Sequence, residues 1–192
     1  NPLASASIAQ VHPATLHGGR DAVVKVVRPG IGKQLRKDID LLLTIARQAE
    51  RFMQNGANVQ PVKVVREFET FVFDELDMQR EAATASILRR NYKGTKDLDS
   101  PEVYWQWCSR RVMVMERGSG VPVGEIENLK KHGVNLKKLA RRGVRVFYTQ
   151  VFRDNLFHAD LHPGNILVDA SDPDDPTYIA MDFGIVASLS SK

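Results

Sequence analysis

His158-Ala159-Asp160-Leu161-His162-Pro163-Gly164-Asn165, followed by Met181-Asp182-Phe183-Gly184, is the part of the chain around which the rest is organised. The first loop offers an aspartate and, five residues on, an asparagine; the second places another carboxylate after a short apolar strand. In a nucleotide-phosphate site with this spacing, the first aspartate addresses the acceptor proton, the asparagine binds a metal ion and the later aspartate is a second metal ligand. Asp160 is therefore the candidate catalytic residue, and Asn165 and Asp182 are the candidate metal ligands. Either piece alone is a weak signal, because glycine after an aromatic is common at turns. The two in series, separated by a hairpin-like segment, are specific. The bland alternative has Asp160 and Asn165 capping turns and Asp182 ending a strand.

A chain of 192 residues has room for one domain or two small lobes. Its 43% apolar and 26% charged residues are ordinary globular composition and argue against disorder. The single cysteine, Cys108, forms no internal disulfide. It fits a reducing compartment or simply no need for bridges, and with no His and Asn arrangement beside it, it reads as a small buried or half-exposed residue rather than a nucleophile. No stretch approaches the roughly 18 uninterrupted apolar residues of a membrane-crossing helix, and no basic region followed by an apolar run opens the chain. The chain as given is expected to be soluble, and its start at Asn1 and end at Lys192 suggest a fragment of a longer protein. Net charge is only +4. A helix expected over 135–153 concentrates Lys137, Lys138, Arg141, Arg142 and Arg145, with Leu136, Leu139, Ala140, Phe147 and Val151 on another face. This reads as a buried stripe with a solvated basic side, in preference to a membrane-surface or nucleic-acid patch. Interleaved aromatics are lacking, so no nucleic-acid partner is expected.

The opening spacing matches the protein-kinase catalytic-loop pattern D-x-x-x-x-N, and further kinase-like pieces precede it. Ala4-Ser5-Ala6-Ser7 occupies the place of a Gly-rich phosphate loop. Small side chains let successive amides face phosphate oxygens, although without glycine the loop is stiffer, and an ordinary strand start is the rival reading. After a hairpin turn at 17–20, Lys25 lies inside Ala22-Val23-Val24-Lys25-Val26-Val27, which reads as a buried strand. A buried ammonium requires a carboxylate or phosphate partner; on an edge strand it would instead face water. Apolar spacing predicts an amphipathic helix from Ile31 to about Gln54, an addition to an ordinary kinase lobe, and a second helical region from Pro61 to Leu88. Glu81 in the latter is the natural helix-borne partner of Lys25. Glu75 and Asp77 form a second acidic pair, too close to share one face of a regular helix.

Two strands are expected over 102–107 and 111–116, with Trp105 and Trp107 as core or lobe-packing residues. Glu116-Arg117-Gly118-Ser119-Gly120 reads as a flexible hinge whose backbone, Glu116 included, meets adenine, or as a plain loop. A short helix over 121–128 and the long one over 136–153 follow. Strands over 166–169 and 178–181 flank an acidic, proline-bearing turn at 170–176 that lacks EF-hand spacing and reads as solvated.

Together, Ala4-Ser5-Ala6-Ser7-Ile8-Ala9-Gln10-Val11-His12, Val24-Lys25-Val26-Val27-Arg28-Pro29-Gly30, Glu75-Leu76-Asp77-Met78-Gln79-Arg80-Glu81 and the two opening motifs resemble the UbiB family of atypical protein-kinase-like proteins, in particular its bacterial members. The motifs span nearly the whole chain. In that family an Ala-rich loop replaces the Gly-rich one, a Glu-x-Asp pair belongs to an extra layer over the active site, and His-x-Asp replaces His-Arg-Asp. The resemblance implies an α+β, bilobal kinase-like fold: a first lobe over 1–116, a hinge over 117–120, and a partial, mainly helical second lobe over 121–192. It also implies ATP and magnesium as cofactors, with Lys25, Glu81, Ala4, Ser5, Ala6, Ser7 and Glu116 binding nucleotide and Glu75 and Asp77 regulatory. Family function is support of ubiquinone biosynthesis through ATPase action coupled to handling of membrane lipid intermediates. The implied partners of the full-length protein are a lipid or quinone-precursor ligand, a membrane surface at the cytoplasmic face of the bacterial inner membrane, and ubiquinone-biosynthesis proteins. A small-molecule or protein kinase and a nucleotide-sensing scaffold without turnover are the alternatives. The family's Lys-x-Gly-Gln motif and C-terminal membrane helices do not occur in this sequence.

Overall fold

The computed structural model describes residues 3–5, 8–52, 60–158, 162–184 and 186–187. Strands β1 (Ala4–Ser5), β2 (Ala9–Thr15), β3 (Asp21–Val27) and β5 (Val112–Glu116) form an antiparallel sheet in the order β1-β2-β3-β5. The β2–β3 turn closes through Leu16 N–H to Arg20 O at 2.8 Å, with Gly18 and Gly19 at φ of 97° and 82°, a region in which side chains with a Cβ are strained.

Strand periodicity decides what this sheet offers. Val23, Lys25 and Val27 share one face with Met113 and Met115, because Val23 pairs with Met115 and Lys25 with Met113. That face packs on helix α3 (Met78–Asn91) through Met78, Ala82, Ala85 and Leu88. Ala22, Val24, Val112 and Val114 turn the other way and meet Tyr104. Lys25 is thus the polar member of an apolar row aimed at a helix.

Helices α1 (Ile31–Phe52) and α2 (Pro61–Asp74) form an antiparallel pair. Arg36 near the start of α1 bonds to Glu69 and lies 4.4 Å over the Phe73 ring near the end of α2, while Glu50 near the end of α1 accepts from Val62 N–H at 3.0 Å. The helix expected to continue from Pro61 to Leu88 is broken at Glu75–Asp77. Asp77 leaves helical geometry (φ −97°, ψ 91°) and caps α3 by accepting from Gln79 N–H at 3.1 Å, which is the preferred use of an aspartate at a helix start.

A second sheet has the order β4-β9-β8-β6, built from β4 (Leu98–Asp99), β6 (Val121–Pro122), β8 (Ile166–Asp169) and β9 (Thr177–Ala180). The β8–β9 pair is an antiparallel hairpin, and β4 runs parallel to β9. Helices α4 (Ile126–Lys131) and α5 (Leu136–Tyr148) pack beside it, with Leu129, Val134, Leu139 and Val168 forming a second core. The backbones of β7 (Phe157–His158), where the first motif begins, and β10 (Val186–Ala187), just past Gly184, pair antiparallel.

Several local expectations give way to tertiary contacts. The strand expected over 102–107 reduces to one bridge, Val103 with Met115, and a 3₁₀ turn at Trp105–Trp107. Trp105 and Trp107 are 46% and 38% exposed rather than core, because Tyr104 takes the inward position. Trp107 stands edge-on to Tyr104, and the Trp105 indole donates to Ser86 at 3.2 Å. Residues 121–128 begin as strand β6, with α4 only afterwards. The long basic helix stops at Tyr148 and widens into a π-helix over Thr149–Arg153. Its basic side is not wholly solvated either: Arg142 is buried, donating to Asp97 at 3.1 Å, to Asp175 at 2.8 Å and to Pro176 O. The acidic turn is correspondingly more than solvated. Pro176 is fully buried, and Asp175 is also reached by Lys138 at 2.6 Å and Lys96 at 3.2 Å. These cations hold the Asp175 carboxyl well below the usual carboxylate range. Cys108 is half-buried, and burial pushes its thiol up, away from nucleophilic use.

Candidate active site

Three elements meet at Lys25. Strand β3 delivers the ammonium, α3 delivers Glu81, and the segment after β9 delivers Asp182. Lys25 Nζ lies 2.6 Å from Glu81 Oε1 and 3.3 Å from Asp182 Oδ1. Glu81 Oε1 also accepts from the Phe183 N–H at 3.4 Å, and Asp182 Oδ1 accepts from the Gly184 N–H at 3.1 Å. Phe183 is completely buried in the main core, so the turn carrying Asp182 is pinned by apolar packing as well as by polar contacts.

Burial differs across the triad, and the charges follow it. The side chains of Lys25 and Glu81 are 12% and 4% exposed, while that of Asp182 is 38% exposed. Burial works against the Lys25 charge, but Glu81 and Asp182 outweigh it and the ammonium is pushed up. Burial raises the Glu81 carboxyl to about 7, against the downward pull of Lys25. Burial also disfavours the Asp182 charge, yet Lys25 and the Gly184 N–H prevail and hold it down. Asp182 is therefore a stable carboxylate at the open edge of the group.

The hairpin brings the other candidate ligand alongside. Pro163–Asn165 forms a 3₁₀ turn, and the Met181 N–H donates to Asn165 O at 2.9 Å. Asn165, just before β8, and Asp182, just after β9, thus stand at the same open end of one hairpin. Among the described residues no group of three or more His, Cys, Asp or Glu converges into a metal cage. A charged, partly exposed carboxylate with an adjacent asparagine fits magnesium, which takes one or two protein ligands and completes its shell with water and phosphate oxygens.

The acidic pair on the α2–α3 break is divided. Glu75 reaches Gly184: a Cβ built there would stand 2.9 Å from Glu75 Oε2. Asp77, besides capping α3, accepts from Arg110 Nε at 3.2 Å. Both line a cleft of about 320 Å³ with Phe71, Arg80, Glu81 and Gly184. The cleft opens directly beside the Lys25 triad.

Glu116 ends β5, and its backbone N–H donates to Glu102 O at 2.8 Å. Beyond it, Gly118 and Gly120 lie close against the β8–β9 hairpin. A Cβ on Gly118 would lie 2.8 Å from Met181 Cε, and one on Gly120 would lie 2.7 Å from Val168 O. These glycines let the connection lie flat on the β8–β9 hairpin, bringing Met181 beneath it. The sequence reading placed Gly118 and Gly120 in the hinge but did not foresee their approach to Val168 and Met181; the Gly-Ser-Gly pattern signals flexibility and close approach equally well. The backbones of Ala4 and Ser5 pair with Val11 and Gln10 as β1. Ala6, Ser7 and Asp160 lie outside the described residues.

Comparison with known proteins agrees with this geometry. The model of the ABC1 atypical kinase-like domain matches residues 1–192. "Probable protein kinase UbiB" of Marinobacter nauticus is 50% identical over 190 residues, covering 99% of this chain and 35% of the relative. The Azotobacter vinelandii protein of the same name is 53% identical over 191 residues, covering 100% and 36%. The chain thus spans about a third of the length of these curated relatives. Among solved structures, Rv3197 of Mycobacterium tuberculosis, determined with erythromycin, superposes with a TM-score of 0.73 at 32% identity over 98% of this chain and 46% of that one. The Rio2 kinase of Chaetomium thermophilum, solved as an ADP/Mg2+-phosphoaspartate complex, shares the fold with a TM-score of 0.52 at 17% identity, over 98% and 48%. With its α+β kinase-like arrangement and a family match along its entire length, the chain belongs to the ABC1 atypical kinase-like family.

Proposed function

We propose that this chain is the nucleotide-binding core of an ATP-dependent enzyme that uses magnesium and acts in ubiquinone (isoprenoid quinone) biosynthesis. The carrying observation is the Lys25–Glu81–Asp182 triad, a buried cation held between a helix carboxylate and a half-exposed one. Two carboxylates and one ammonium leave the group with one excess negative charge at its open side, which a bound magnesium ion offsets, and the metal together with Lys25 then accommodates phosphate oxygens.

In this reading residues 1–116 form the first lobe, 117–120 the hinge beneath which Met181 lies, and 121–192 part of the second lobe. Lys25, fixed by Glu81, orients the nucleotide phosphates. Asn165 and Asp182 hold magnesium, which supplies charge neutralisation on the phosphate oxygens when bound. Asp160 positions the attacking hydroxyl or water. Ala4, Ser5, Ala6 and Ser7 cover the phosphates, and the segment from Glu116 meets the base. Glu75 and Asp77 regulate access, Glu75 from its seat on Gly184 and Asp77 by setting the start of α3.

The name shared by the 50–53% identical relatives supports the quinone pathway, and with it ATP-driven handling of lipid intermediates at the inner-membrane face in the full-length protein. No helix among the described residues is long and apolar enough to cross a membrane. Phosphate transfer to a small molecule or protein, and nucleotide sensing without turnover, are the competing readings. ADP release by the full-length protein with magnesium, with and without anionic liposomes and a quinone-like phenol, tests the proposal. Loss of ADP release in Asp182→Asn with an intact fold is the expected result. An Asp182→Asn protein that turns over ATP as fast as the parent overturns it, labelled phosphate on an acceptor favours the kinase reading, and tight binding without product favours the scaffold.

A further inference from the structure

Helix α3 carries Glu81 near its start and ends at Tyr92, about 16 Å further along the helix axis at 1.5 Å per residue. Its first end is tied to the first sheet: Met78 N–H donates to Arg110 O at 3.1 Å, and Asp77 pairs with Arg110. The last end is tied elsewhere. Tyr92 is 4% exposed, and its hydroxyl donates to Val146 O of α5 at 3.2 Å. Burial, with Asp154 adding to it, pushes the Tyr92 phenol up to about 12, so it remains a donor. Arg153, in the π-helix after α5, lies 5.4 Å over the Tyr92 ring and donates to Asn91 O at 3.2 Å. Asp154 holds that guanidinium in place through two bonds of 2.7 and 3.0 Å.

Val146 sits one turn before the widening of α5 into Thr149–Arg153. Arg153 is the last residue of that π-turn and stands against Asn91 and Tyr92. Leu88 and Ala85 continue the contact, sharing the main core with Val146 and Ala180. The C-terminal end of α3 is therefore joined to the second half of the molecule by one buried hydrogen bond, one cation over a ring and one guanidinium–carbonyl bond.

We infer that Tyr92 and Arg153 are positioning residues for the Lys25–Glu81 pair: they staple α3 to α5, so that Glu81 is a fixed partner of Lys25 and not one delivered by a swinging helix. The inference rests on the nucleotide-binding reading of the Lys25 site only for its functional consequence. A helix held at both ends keeps the triad assembled before any ligand binds, and control of the site then falls to the Glu75–Asp77 break and not to α3.

The test uses the full-length protein with Tyr92→Phe, Arg153→Gln, the double variant and the conservative Arg153→Lys. Amide exchange over α3 and affinity for a fluorescent ATP analogue with magnesium are the two readouts. Deleting the Tyr92 hydroxyl is expected to raise exchange in the Glu81 turn and weaken nucleotide binding about fivefold, the equivalent of ~1 kcal/mol for one hydrogen bond. The double variant should exceed either single one, and Arg153→Lys should recover most of the Arg153→Gln loss. In a Glu81→Gln background the staple variants should cost no further affinity, an outcome that general destabilisation would not produce. Unchanged α3 exchange in Tyr92→Phe, or an affinity loss undiminished by Glu81→Gln, overturns the inference. If the double variant does not fold, Tyr92→Phe decides alone, since it keeps the ring and its packing. A parent protein that binds no nucleotide would sink the functional reading while the exchange measurement still decides the staple.

Discussion

Glu75 rests on Gly184: the carboxylate at the end of α2 occupies the space a side chain would fill on the residue two after Asp182. A methyl group at 184 would meet Glu75 Oε2 at 2.9 Å, the far end of a flexible side chain that can give way. Gly184→Ala is therefore expected to cost less than about 1 kcal/mol of stability, because no backbone must move. It should nonetheless displace Glu75 from the cleft. Nucleotide affinity should change in Gly184→Ala, and a Glu75→Ala background should remove most of that change. A double-mutant cycle showing strict additivity would refute the coupling.

The Glu81 carboxyl, raised to about 7 by burial, is predicted to write an acidic limb into the pH profile of nucleotide binding. Below that value Glu81 gains a proton and stops holding Lys25; above it the pair is charged and assembled. For stability the sign is opposite. A carboxyl whose folded value exceeds its unfolded one lets the folded state hold more protons, so this contribution fades as pH rises from about 4.5 through about 7. Titration of binding from pH 5.5 to 8.5 should show the limb in the parent and a flat response in Glu81→Gln.

The two connecting glycines should differ in tolerance. At Gly120 an added Cβ meets the backbone oxygen Val168 O at 2.7 Å, whereas at Gly118 it meets the Met181 thioether, which can rotate away. Gly120→Ala is expected to destabilise by about 2 kcal/mol through overpacking, and Gly118→Ala by less. Urea unfolding of the two variants measures the difference, and equal costs would contradict the close approach at Val168.

Arg142 should be a costly polar residue to exchange outside the triad. Its guanidinium is buried and bonded to Asp97, Asp175 and Pro176 O, closing the loop end of the hairpin that bears Asn165 and Asp182 at its other end. Arg142→Met keeps much of the volume but strands Pro176 O in the interior, at a cost of about 2–3 kcal/mol. Asp97 and Asp175 retain Arg145, Lys138 and Lys96, which keeps the loss below that of a fully orphaned pair. Its depressed carboxyl makes the Asp175 contribution present above the ordinary Asp range and lost as pH falls, so the gap between parent and variant should narrow on acidification. Chemical unfolding at pH 7 and pH 3 checks both statements.

Much of this architecture was legible in local patterns. The β-branched run in 22–27 announced β3, apolar spacing announced α1, and the hairpin between Asn165 and Asp182 followed from two short apolar runs around a proline-bearing turn. Other elements depend on who occupies a neighbouring space. Whether 102–107 is strand or turn was settled by Tyr104 filling the outer face of the first sheet, which left both tryptophans outside. The break at 75–77 was hidden because Glu75, Leu76 and Asp77 tolerate helix; the cap on Gln79 N–H and the pull of Arg110 on Asp77 end it.

Residue types and spacings already displayed the kit: a lysine in an apolar strand, helix-borne acids, and an Asp–Asn loop followed by Asp-Phe-Gly. Those properties reside in residue type and spacing, which a linear chain displays fully. Glu81 was legible as the partner of Lys25 although it lies 56 residues away, whereas the contact of Lys25 with Asp182, 157 residues away, emerged only on folding. The tertiary structure also decided that Glu75 sits on Gly184 while Asp77 caps a helix, and that Tyr92 and Arg153 fasten α3 to α5. Such pairings are set by packing in three dimensions, where a distance of 3 Å leaves no trace in the separation along the chain.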